Sequence, residues 1–150
     1  MLTDYLNQNT IALNQEARDR DDAIRIAGEL LVKQSLVKEQ YIDEMIRTVD
    51  EMGAYMVISP GIAFAHARPS DLVNEDSTSM VTLKTPVEFG HKQNDPVVVL
   101  FALAGKESTG HLSIMKDISR LIIRESFMTT IISAGSVDEV IAYISSKEGG

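Results

Sequence analysis

VVVLFALA, Val97 to Ala104, runs eight residues without a polar side chain. A strand with one face in water alternates apolar with polar, so this run reads as a strand buried on both faces. On its C-terminal side, Gly105 to Gly110 reads as a loop and His111 to Ile123 as a helix. Ile114, Met115, Ile118, Leu121 and Ile122 recur there at helical spacing. Ser136-Val-Asp-Glu139 is a capping box opening a last helix, with Val140, Ile141 and Ile144 inward. The tail, Lys147 to Gly150, should fray.

Upstream, Met80 to Leu83 and Val87 to Phe89 read as separate strands on either side of Pro86. Ile62 to Ala65 and Ala54 to Ile58 are short apolar runs around a Ser59-Pro60-Gly61 turn. Glu39 to Met52 is a helix whose face is Tyr41, Ile42, Met45, Ile46, Val49 and Met52, ended by Gly53. Asp19 to Gln34 is another, capped by Asp21 or Asp22. Residues 1–18 hold a short helix and a strand. Strands alternating with helices give an α/β domain with helices covering a central sheet. One domain fills residues 1–150.

The chain has 14 Lys and Arg against 22 Asp and Glu, a net charge of −8. That balance disfavours nucleic acid and anionic membrane surfaces, which need a basic patch. Cysteine is absent, which excludes disulfides, thiolate zinc sites and cysteine nucleophiles. A spanning helix needs ~20 apolar residues, far more than Val97 to Ala104 supplies. The start, MLTDYLNQNT, has neither a basic nor an apolar signal region, so the expected location is the cytoplasm.

Phosphate loops, GxGxxG, HExxH and GxSxG are all missing. The carboxylates scatter over helix surfaces, where a solvated face is the plain reading. Three histidines remain. His66 falls where a strand gives way to a loop, and ligand sites in α/β sheets collect at strand ends. His111 opens a helix, where backbone N–H groups and the dipole favour an anion. His91, in FGHKQND, is a turn residue. No histidine pair has i, i+3 or i, i+4 spacing, so no metal site is expected.

The segment around His66, PGIAFAHARPSDLV, resembles the active-site segment of EIIA proteins of the bacterial sugar phosphotransferase system, of the mannitol–fructose type. MVTLKTPVEFGHKQNDPVVVLFALA, TGHLSIMKDISRLI and SVDEVIAYI follow that family's order, so the resemblance covers nearly the whole chain. The run VTLKTPVEFGHKQNDPV is most similar to the ascorbate-specific branch. The resemblance implies a mixed sheet with helices on both faces. It implies that His66 carries the phosphoryl group and that His111 assists beside it. It implies phospho-HPr as the donor and a cysteine of a cognate EIIB as the acceptor, with the membrane EIIC beyond. An arginine is expected on the phosphoryl group, either Arg47 or Arg68. Many relatives carry proline just before the active histidine; here that residue is Ala65. Transport and a purely regulatory phosphorylation both fit the family.

Histidine suits the task. Its unperturbed pKa of ~6.5 leaves a neutral, nucleophilic ring nitrogen available near neutral pH. The other nitrogen needs a hydrogen-bond acceptor to fix the tautomer. Phosphoryl transfer then asks for alignment and charge stabilisation. No cofactor is called for, and with no cysteine in the chain the acceptor thiol must belong to another polypeptide.

Overall fold

In a computed structural model that describes residues 1–148, five strands form one mixed sheet in the order β1-β4-β5-β3-β2. The strands are β1 (Ile11–Gln15), β2 (Val57–Ser59), β3 (Ile62–His66), β4 (Ser77–Val87) and β5 (Val97–Ala104). β5 is central. It pairs parallel to β3, with Ile62 opposite Val99 and His66 opposite Leu103, and antiparallel to β4. β1 lies parallel to β4, and β2 antiparallel to β3.

The helices are α1 (Arg20–Lys33), α2 (Gln40–Met52), α3 (Ser108–Ile122), α4 (Ser126–Ser133) and α5 (Val137–Glu148). They cover both faces of the sheet, as two separate cores show. On one face, Ala63, Ala65 and Ala67, with Leu100, Ala102 and Ala104, pack with α1 and α2 residues such as Ile24, Leu31, Tyr41 and Met45. On the other, Ile62 and Phe64, with Val99, Phe101 and Leu103, pack with Ile114, Ile118, Phe127 and Ile144 of α3, α4 and α5. Successive side chains of a strand alternate faces, so β5 needs apolar residues at every position. VVVLFALA therefore forms the middle of the molecule, as its composition suggests.

Several local expectations need correction. Pro86 does not interrupt the strand: β4 runs unbroken from Ser77 to Val87. Lys84, Thr85 and Pro86 are exposed there, and the pairing with β5 shifts register between Thr82 and Val87, so the missing proline N–H falls at an irregular stretch. α1 is capped by Asp19, whose side chain accepts from the Asp22 N–H, rather than by Asp21 or Asp22. α2 ends at Gly53, which takes φ 72°, as a glycine C-terminus should. α4 has no counterpart in the sequence reading. α3 begins at Ser108, three residues earlier than expected. Lys147 and Glu148 belong to α5, and the Glu148 carboxylate accepts from the Thr3 N–H (2.9 Å) and hydroxyl (2.8 Å). The rest of the expected frayed tail, Gly149 and Gly150, lies outside the described residues.

Candidate functional site

His66 is the last residue of β3, one position beyond Ala65 and on the same side of the sheet as Phe64 by strand alternation. That side is covered by α3. His111 sits in the first turn of α3, and its N–H is already bonded to the Glu107 carbonyl (3.2 Å). The ring of His111, rather than its backbone, therefore bears on the site. The two imidazoles meet with ring centroids 5.3 Å apart and planes tilted by 49°. The fold thus joins the two histidines that the sequence singled out, one from a strand end and one from a helix start.

Local chemistry acts on both rings. His66 Nδ1 lies 3.3 Å from the Phe64 carbonyl oxygen. An acceptor there holds the proton on Nδ1 and leaves the Nε2 lone pair free as a nucleophile. Burial holds the His66 imidazole below its ordinary value, with the Phe64 bond opposing to a smaller extent. Burial also lowers His111, the charge of His66 lowers it further, and the Asp76 carboxylate works the other way. Both rings therefore favour the neutral form. His111 Nε2 is buried and has no hydrogen-bond partner among the described residues. A buried polar nitrogen normally finds one, so this atom is open to a partner that the described residues do not supply.

The loop from β5 to α3 sets where His111 stands. A Cβ on Gly105 would come within 2.6 Å of the His111 Cβ and 2.9 Å of its Cα and N. Only glycine allows the strand end and the helix start to approach this closely. Asp76 secures the same loop by accepting the Lys106 N–H (2.8 Å).

Beside His66 lies a cleft of about 480 Å³ lined by Tyr55, Met56, Ile58, Phe64, Met115, Ser119, Ile122 and Ile123. Its rim is apolar and open to solvent: Tyr55 is 82% exposed and Ile123 78%. Of the apolar residues that flank His66 in the sequence, Ile62, Phe64 and Val73 are buried and Leu72 is half-buried. The rim residues come from the segment between α2 and β3 and from the end of α3, so their convergence had no local signal.

The arginines stand apart from this cleft. Arg47 is exposed on α2 and pairs with Glu44 (3.1 Å), one turn away. Arg68 is exposed two residues past His66. Neither lines the cleft. His91 is elsewhere, in a turn, where its Nδ1 accepts the Gln93 and Asn94 N–H groups (3.2 and 3.0 Å).

Comparison with known proteins identifies the family and the fold. The family model described as "Phosphoenolpyruvate-dependent sugar phosphotransferase system, EIIA 2" matches residues 4–147. The ascorbate-specific PTS system EIIA component of Escherichia coli (strain K12) is 36% identical over 129 residues, 84% of each chain. The crystal structure of a putative PTS IIA (PtxA) from Streptococcus mutans superposes with a TM-score of 0.87 at 30% identity, over 95% of this chain and 92% of that one. E. coli enzyme IIAMtl, solved in complex with phosphorylated enzyme IIBMtl, shares the fold at a TM-score of 0.84 and 22% identity, over 94% and 97% of the two chains. The chain therefore belongs to the EIIA 2 family of the phosphoenolpyruvate-dependent sugar phosphotransferase system.

Proposed function

We propose that this protein is a cytoplasmic phosphocarrier that accepts a phosphoryl group on His66 Nε2 from phospho-HPr and passes it to a cysteine of a cognate EIIB. The observation that carries the reading is the paired imidazoles, with His66 Nδ1 against the Phe64 carbonyl and His111 Nε2 buried without a partner among the described residues. In the first step the P–N bond of the donor phosphohistidine breaks. The His66 Nε2 lone pair forms the new P–N bond, and the electron pair stays with the departing ring. In the second step that bond breaks and an EIIB thiolate takes the phosphorus. Alignment and charge stabilisation supply most of the catalysis in such transfers.

His111 would donate from Nε2–H to a phosphoryl oxygen as charge moves. The N–H groups of Ser108, Thr109 and Gly110, at the start of α3, add a favourable field for an anion. Arg68, unpaired in the described structure and two residues past His66 in the chain, is the better placed arginine. Arg47 would first have to leave Glu44. The apolar rim of Tyr55, Ile58 and Ile123 is the face on which both protein partners would dock, since each must bring a side chain up to His66. The relatives named for ascorbate point to ascorbate uptake, through the EIIB and on to a membrane EIIC. Within this scheme residues 1–150 act as a single EIIA domain.

The test is reconstitution. Phospho-HPr, this protein and the EIIB of an ascorbate system are combined, and phosphocysteine on the EIIB is followed. Rapid labelling of the EIIB supports the reading. Phosphorylation of His66 with no onward transfer to that EIIB or to those of the mannitol and fructose systems would favour a regulatory role instead.

A further inference from the structure

Tyr41 is fully buried, on the face of the sheet opposite to the two histidines, yet its hydroxyl reaches the strand end that carries His66. The oxygen donates to the Leu103 carbonyl (2.7 Å) and accepts the Ala67 N–H (3.1 Å). A longer approach, 3.3 Å, reaches the Ala67 carbonyl. The Leu103 carbonyl and the Ala67 N–H belong to one rung of the sheet. The Val99 N–H donates to the Gly61 carbonyl (3.0 Å), which fixes the ladder phase: each odd-numbered β5 residue bonds to the β3 residues just before and just after its opposite. Leu103 stands opposite His66, so its carbonyl is the acceptor that the Ala67 N–H would meet if the ladder simply continued.

We propose that Tyr41 is a positioning residue: its hydroxyl is inserted into the last β3–β5 rung, spreads the two strand ends there, and so sets where the His66 imidazole stands relative to His111. One hydroxyl takes a proton from one strand and gives one to the other, so no buried backbone group goes unpaired while the strands separate. His66 precedes Ala67, and Leu103 leads into the Gly105 approach to His111. The rung therefore governs both sides of the imidazole pair. A misplacement of about 1 Å at a reacting group costs on the order of 100-fold in rate, which makes such a fixture consequential. Because Tyr41 lies behind the sheet, it touches neither a docked partner nor the phosphoryl group.

The inference rests on His66 being the phosphoacceptor, and two kinds of measurement keep the two claims apart. In the wild-type protein, NMR should show a slowly exchanging Tyr41 hydroxyl proton with a nuclear Overhauser effect to the Ala67 amide. Absence of that proton overturns the inserted rung whatever the fate of the phosphate chemistry. In Tyr41→Phe, the ring is kept and the spacer lost. The His66 ring nitrogen shifts should move while those of His91 stay. With phospho-HPr as donor, kcat should fall roughly 3- to 30-fold with KM nearly unchanged. Installing 4-aminophenylalanine at position 41, which keeps a donor and an acceptor, should restore much of the rate. Met45→Ala, a buried change on the same helix away from the rung, controls for lost stability. A Tyr41→Phe kcat within twofold of wild type, or an equal loss in Met45→Ala, contradicts the proposal. A wild-type protein that takes no phosphate would instead overturn the reading of His66.

Discussion

His66 and His111 face one another with ring centroids 5.3 Å apart, yet only one of them has its second nitrogen anchored to the backbone. Under the proposed function that asymmetry would divide the labour, with the anchored ring, His66, presenting the nucleophile. The other, His111, holds a buried nitrogen with no partner among the described residues.

His111→Ala should still accept phosphate on His66 but pass it on slowly. A hydrogen bond to a charged group is worth about 1.5–3 kcal/mol, or roughly 10- to 150-fold in rate if it acts only in the transition state. His111→Gln, which keeps a donor, should recover some of the loss. His91→Ala should do little, because that ring serves its own turn. Rapid-quench transfer measures all three, and a wild-type rate in His111→Ala would remove the assisting role.

Gly105→Ala should disturb the pair through the backbone. The added methyl meets His111 backbone atoms, which cannot swing aside. Overpacking of this kind costs about 1–3 kcal/mol. Denaturant unfolding should register that loss, and transfer should slow as His111 is pushed away. Unchanged stability would mean that the loop relaxes freely.

Stability should depend on pH with a definite sign. Both imidazoles lie below their ordinary value of 6.5 in the folded protein, burial being the first cause. Between the folded and unfolded values the unfolded chain binds more protons. The stabilisation is therefore fully present above about pH 6.5 and is lost as the pH falls toward the folded values. Melting temperatures from pH 7.5 to 5 should fall less steeply for the His66→Gln, His111→Gln double variant than for wild type. Equal slopes would contradict the assignment of the effect to this pair.

Ile123→Asp and Tyr55→Asp should weaken docking without unfolding the domain, since both side chains are exposed. The few anchors of an interface are the contacts whose loss costs more than about 1 kcal/mol, and as anchors of this rim their loss should slow transfer from the upstream carrier about 5- to 30-fold. Leu72→Asp, only partly buried and away from the cleft, should have a smaller effect on transfer. Stopped-flow transfer with a range of donor concentrations separates binding from chemistry.

Much of this was legible in the sequence because the signals were local. VVVLFALA declared a strand covered on both faces, and the strand-end position of His66 and the helix-start position of His111 singled out two rings that the fold brings together. Other features depended on distant partners. α4 goes unread because Ser126–Ser133 is short, and its apolar face finds its partners in α3, α5 and the sheet, whose strands are distant in the chain. Pro86 looked like a break, since nothing in the sequence shows that the pairing is irregular there. The apolar rim is assembled from Tyr55, Ile58 and Ile123, which are far apart in the chain. Tyr41 looked like one more apolar-face residue, and its hydroxyl acquires meaning only when α2 docks beneath the end of β3.

Every role assigned above depends on His66 carrying the phosphoryl group. The protein should be incubated with phosphoenolpyruvate and the general phosphotransferase proteins, and the phosphate mapped by mass spectrometry under alkaline conditions, where phosphohistidine survives. One phosphate is expected, on His66, absent from His66→Ala and retained in His111→Ala. Stoichiometric label in His66→Ala, or phosphate on another residue of the wild-type chain, would refute that assignment.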